Sequence, residues 1–116
     1  MNAVPLTAGQ QSLLRAARSL HLAHVEARRD TARSGGVFPS ELEQDCATLL
    51  LIAVTLLPEG LSLEGAISAQ PGALGSLVEA ETELRRLPIY AYPPGTSRLV
   101  VWLCDVLASV REQRRP

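Results

Sequence analysis

Aromatic residues are nearly missing from this chain, which has one Phe, one Trp and two Tyr among 116 residues. A core of stacked rings is thereby excluded, and the interior has to be built from Leu, Val and Ala. Lysine is absent, so all eleven basic residues are Arg. Without Lys there is no P-loop, and Gly35-Gly36 also lacks the strand-to-helix setting of that motif. The Arg bias, with abundant Ala, Leu and Gly, points to a GC-rich bacterial genome and to no mechanism. Two cysteines, Cys46 and Cys104, make no disulfide framework. Each lies in an apolar helical stretch, where an unpaired cysteine behaves as a small hydrophobe. The opening residues 1–5 carry no basic run followed by an apolar one, so no secretory signal is expected and the chain reads as cytoplasmic.

What the chain has in plenty is aliphatic side chains. Hydrophobic residues make up 47% against 20% charged, which favours a folded protein over a disordered one. The length suits one domain with its own core, taken here as a single helical domain over 1–116. Residues 46–57, CATLLLIAVTLL, hold ten apolar residues in twelve. A membrane span needs about 18–20, and a run of this length reads as a core helix. Wound at 100° per residue, 41–57 leaves only Glu41, Gln44, Thr48 and Thr55 on a narrow polar strip, bordered by Ala47 and Leu51. The expectation is a helix buried on nearly all sides, with the others packed around it. Ser40-Glu41-Leu42-Glu43 fits a capping box at its start, and Pro58 ends it.

The remaining segments also read as helical. Helix 1 is expected from about Ala8 to Arg33, opened by the capping box Thr7-Ala8-Gly9-Gln10 and closed by Ser34-Gly35-Gly36. Its apolar stripe is Leu13, Leu14, Ala17, Leu20, His24 and Val25. Leu61–Gln70 reads as a short helical piece capped by Ser62. Pro71 restarts the chain for helix 3, about Gly72 to Leu87, in which Glu81 and Arg85 form an i,i+4 pair. Pro88–Gly95 is expected to be extended, partly polyproline-like, and to end in a turn. Helix 4 follows to Gln113, with Leu99, Val100, Trp102, Leu103, Val106, Leu107 and Val110 inward. With no repeat and no hairpin signal, the fold class is all-α, a compact four-to-five-helix bundle around 41–57.

Charge is segregated although the net is −1. Residues 1–39 carry +3, residues 40–84 carry −8, and residues 85–116 carry +4. The blocks either attract one another in the fold or offer separate surfaces to partners; the first is favoured.

Catalytic chemistry finds little footing. His21 and His24 stand three apart on one helix, close enough to share a metal. They lack an H-E-x-x-H or Glu-x-x-His setting, and other ligands such as Asp45 or Asp105 would have to come from other helices. A hydrogen-bonded core histidine is the favoured reading of His24. Asp105 falls on the polar face of helix 4 with Arg98, Ser109 and Glu112, which suits a solvated or Arg-paired carboxylate better than a buried acid. No electropositive surroundings that would make either cysteine a thiolate can be read from the sequence. The protein is expected not to be an enzyme and to need no cofactor or metal.

Two features remain. Arg15, Arg18, Arg29 and Arg33 share one side of helix 1 and, with Arg111, Arg114 and Arg115, could contact a phosphate backbone. No aromatic accompanies them for base stacking. Tyr90, Tyr92 and Trp102 put three of the four aromatics beside one proline-rich segment, and such residues are enriched at protein interfaces. Alternatively, the tyrosines lid the end of the core. Leu22, Val101 and Ala108 add apolar side chains to otherwise polar helix faces. The expectation is a non-catalytic interaction module, an accessory subunit or small chaperone-like adaptor of a bacterial complex. Its partner would be another protein or itself, contacted through Leu22, Tyr90, Tyr92 and Trp102, with no membrane involved. The alternative is a nucleic-acid-associated regulator using the four helix 1 arginines; a metal enzyme built on His21, His24 and Asp105 is third.

Overall fold

A computed structural model describes residues 5–65 and 72–113. It contains four α-helices: α1 (Ala8–Arg33), α2 (Glu41–Thr55), α3 (Ala73–Leu84) and α4 (Thr96–Gln113), with one turn of 3-10 helix at Ile89–Ala91. No strand occurs among the described residues. The all-α bundle expected from periodicity is present. Expectations on Pro71, Arg114, Arg115 and residues 66–70 fall outside the described residues.

Polar contacts fix the helix directions. Glu26, late in α1, binds Gly72 and Ser76 at the start of α3, while Ser12, early in α1, binds Glu83 at its end. α1 and α3 are therefore antiparallel. Leu56, just past α2, lies against Gly95 before α4, and Ser40–Asp45 share a cleft with Ser109–Gln113. α2 and α4 are antiparallel too. The order is up, down, down, up, which requires the connection from Leu56 to Gly72 to return along the bundle, a long crossover of the kind some four-helix bundles use. Arg18 on α1 holds this connection through Nε to the Ser62 carbonyl, 3.0 Å away.

α2 is not buried on nearly all sides, and the broadest helix–helix contacts are made by α1. α1 contacts both α2 and α3, most broadly α3. Its buried row Gly9, Ser12, Ala16, Ala23 and Ala27 is small, and so are Ala73, Ser76 and Ala80 on α3. Short side chains on both sides let these two helices lie close. Leu13, Leu20, Leu49, Leu77, Leu99, Leu103 and Leu107 from all four helices fill one continuous core. α2 buries only Cys46, Leu49 and Ala53, and leaves Leu51 63% exposed. A helix at one corner of a four-helix bundle has two neighbours, so an apolar residue on its far side stays in solvent whatever the sequence pattern.

The local differences have equally plain causes. Thr7 and Gln10 complete the expected capping box. At Ser40 only half is made: its Oγ accepts the Glu43 N–H at 3.1 Å, and Glu43 lies beside His24 instead of reaching back. Residues 61–65 are not helical; there the Ser62 carbonyl accepts from Arg18 Nε, and its hydroxyl accepts the Glu64 N–H at 3.3 Å. Pro88–Gly95 holds a 3-10 turn, closed by the Ala91 N–H on the Pro88 carbonyl at 2.9 Å and the Tyr92 N–H on the Ile89 carbonyl at 3.2 Å; Pro88 donates to neither. His24 is half-buried at the edge of the α1–α2 contact, and no hydrogen bond of its side chain is made to a described residue. Ala23 and Ala27 take the central positions expected of it.

Burial holds His24 below its ordinary value of 6.5; Glu43 opposes this, and Arg28 and His21 reinforce it. The unfolded chain thus binds the extra proton first, and stability present above pH 6.5 falls as pH drops through that value. Urea midpoints measured from about pH 8 to 5 should decline in the wild type and more shallowly in His24→Gln. Asp45, raised by its own burial and by Glu41, acts in a more acidic window and in the opposite sense.

Candidate interaction surface

The polar groups inside the bundle come first, because they are where chemistry would be sought. Glu83 is the hub of one cluster. Its carboxylate accepts from Arg15 Nε at 3.1 Å, Arg86 Nη1 at 3.0 Å and Ser12 Oγ at 3.2 Å. Its carbonyl accepts from Ser12 Oγ at 2.8 Å and Tyr92 OH at 3.0 Å. Every hydroxyl here is spent on closing the end of α3 against α1. In a second cluster, the Glu26 carboxylate accepts the Gly72 N–H at 2.6 Å and Ser76 Oγ at 2.7 Å. Gly72 is the N-cap of α3 and has no side chain to offer. Glu26 therefore supplies from α1 both the acceptor and the negative charge that a helix start favours.

These clusters decide where the sequence-derived candidates stand. Arg15 and Arg18 turn toward the acidic middle segment, one to Glu83 and one to Ser62. Arg33 lies 3.8 Å from Asp30, and Arg29 lines a mixed-charge cleft with Glu26, Asp30 and Arg33. The four share a helix side but not a common free surface. Tyr92, expected to contact a partner, is a core residue: its ring is buried and its hydroxyl is tied to Ser12 and Glu83. Leu22 is half-buried, in the same row of α1 as Arg18 and Glu26, both of which hold the crossover. Tyr90, by contrast, is 86% exposed, and Trp102 is 37% exposed although it reads as inward on the wheel. His21, His24 and Asp105 do not converge, and no group of three metal-ligating side chains forms among the described residues.

The cysteines differ. Cys46 is fully buried, and that burial, with Asp45 and Glu43 adding, pushes its thiol up to about 12. Cys104 is half-buried; its Sγ donates to Glu81 Oε2 at 3.5 Å and accepts from Arg85 Nη2 at 3.7 Å. An alkylating reagent on the native protein should modify Cys104 alone, and both thiols after denaturation. Thiol counting by mass checks this, and rapid labelling of Cys46 would contradict the packing.

What remains unsatisfied is apolar surface. α4 exposes Val101 (62%), Trp102 and Ala108, and Ser97, Arg98, Val101, Trp102 and Asp105 line an open groove of about 400 Å³. α2 exposes Ala47, Leu51 and Val54. The α4 flank of α2 is the one carrying Leu42, Asp45 and Leu56, so its exposed stripe lies away from α4 and the two patches are separate. Ile89 and Tyr90 expose a third. No helix among the described residues is long and apolar enough to cross a membrane. No family model, curated protein or solved structure matches the chain.

Proposed function

We propose that this protein is a non-catalytic protein–protein interaction module, a cytoplasmic accessory subunit or small adaptor. One observation carries the reading: apolar side chains stand outside the bundle on α2, on the 3-10 turn and on α4. The hydroxyls and carboxylates of Ser12, Tyr92, Glu83, Glu26 and Ser76 are all occupied by holding helices together. Exposed apolar patches of this kind serve as contact surfaces, with aromatic residues as anchors. Tyr90, Trp102, Val101 and Leu51 are the contacts this reading favours.

The test is affinity isolation of the tagged protein from its own host, with and without nuclease. A stoichiometric protein, or a second copy, should survive nuclease and be lost in Leu51→Glu or Val101→Glu variants that keep their helical circular dichroism. A monodisperse monomer that retains nothing would overturn the reading. The nucleic-acid alternative now rests on Arg29 and Arg33. It requires nucleic acid in the untreated sample, with binding that weakens steeply with salt.

A further inference from the structure

The outer face of α4 is self-complementary. Arg98 and Asp105 are both exposed and lie two turns apart, about 10.5 Å along the axis at 1.5 Å per residue. Neither side chain forms an ion pair or hydrogen bond with a described residue. Between them stand Val101 and Trp102, the apolar residues of the groove. In two antiparallel helices related by a two-fold axis, the residues equidistant from that axis on either side stand level with each other. An axis passing between Val101 and Trp102 sets Arg98 level with Asp105 of the second copy, and Asp105 level with its Arg98. The same axis sets Val101 level with Trp102 of the other chain. At the 8–10 Å separation of packed helices, each arginine is long enough to reach the shorter aspartate opposite it.

We propose that a second copy of this chain docks on α4, forming an isologous antiparallel helix pair centred between Val101 and Trp102. The occupant is argued from charge. The stretch from Arg98 to Asp105 has one cation and one anion placed symmetrically about an apolar centre, with Glu112 two turns further along the same face, and it pairs both charges when it meets itself in this orientation. A parallel arrangement in register would place like charges together. Isologous contacts of this kind build the commonest oligomers. α4 is about 27 Å long, so a contact through this helix alone falls at the small end of specific interfaces. Dimerisation is therefore weak and concentration-dependent, and salt weakens it further. The inference rests on the interaction-module reading and names that module's partner.

Sedimentation velocity of the full chain over a concentration series tests it, with the emission of Trp102, the only tryptophan, as a second readout. The wild type should pass from monomer to dimer, and the emission should move to shorter wavelength as the indole leaves water. Arg98→Glu or Asp105→Arg alone sets like charges together and should raise the dissociation constant about tenfold or more. The double variant Arg98→Glu with Asp105→Arg should restore dimerisation to within about threefold of wild type. Both positions are exposed, and unchanged thermal melts of the variants exclude misfolding as the cause. A monomer at every concentration overturns the proposal, and so does a dimer indifferent to the single charge reversals. A monomer that still retains a stoichiometric host protein through Val101 overturns the second copy as occupant and leaves the module reading intact. A monomer that retains nothing removes both.

Discussion

Gly9→Ala should destabilise the protein by about 2 kcal/mol or more, at a helical position where glycine-to-alanine changes ordinarily stabilise. Gly9 is buried in the first turn of α1. A Cβ built on it would overlap the carbonyl of Ala91 and meet the Tyr92 Cα at 3.0 Å. Propensity alone would return up to about 1 kcal/mol. Overpacking typically costs about 1–3 kcal/mol where side chains can shift, but here the obstacle is backbone. Ala91 is held by its own N–H on the Pro88 carbonyl, and Tyr92 by its ring and hydroxyl. The methyl can be admitted only by moving the 3-10 turn off α1. Urea denaturation followed by circular dichroism gives the midpoint shift at an unchanged slope. A midpoint equal to or above wild type would mean that the turn yields freely.

That contact shows which parts of the fold were legible in the chain. The helices, both serine and threonine N-caps, the Glu81–Arg85 pair at 3.6 Å and the exposed side of Asp105 follow from spacing within one segment, and periodicity finds them. The role of Gly9 depends on a turn some eighty residues away, and nothing in its neighbourhood announces it. A faint signal existed in the small residues Gly9, Ser12, Ala16, Ala23 and Ala27, which share one side of α1 at helical spacing. Read as a close-packing row, they place the broadest helix contact on α1, against α3. The wheel for α2 correctly gave a helix apolar almost all round, but composition does not state how many neighbours a helix has. With two, Leu51 and Val54 face outward. The arginine side of α1 was legible as a shared face; its partners Glu83 and Ser62 belong to the acidic block, as charge segregation suggested. Tyr90 and Tyr92 show the limit plainly. Two residues apart in a 3-10 turn, one goes to solvent and the other to the core, and the sequence around them is nearly symmetrical.

Tyr92→Ala should cost about 3–5 kcal/mol, the range for truncating a buried aromatic ring, whereas Tyr92→Phe should cost only about 1 kcal/mol. The difference follows from what each change leaves behind. Phenylalanine keeps the ring in the cluster formed with Leu13, Leu99 and their neighbours. It removes one donor from the Glu83 carbonyl, which still accepts from Ser12 Oγ at 2.8 Å and from the Arg86 N–H at 3.2 Å. No buried acceptor is orphaned, so the full desolvation penalty does not arise. Alanine removes the ring as well and opens a cavity between the 3-10 turn, α1 and the end of α3. If Phe proved as damaging as Ala, the hydroxyl network would be what secures the turn, and the packing account would fail. The Gly9 and Tyr92 changes act on the same contact from opposite sides. Once Tyr92→Ala has loosened the turn, the Ala91 carbonyl can withdraw from position 9, and the added methyl has less to displace. Gly9→Ala with Tyr92→Ala should therefore cost less than the two single changes together, by about 1 kcal/mol or more. Additive losses would show that Gly9 and Tyr92 brace different parts of the molecule.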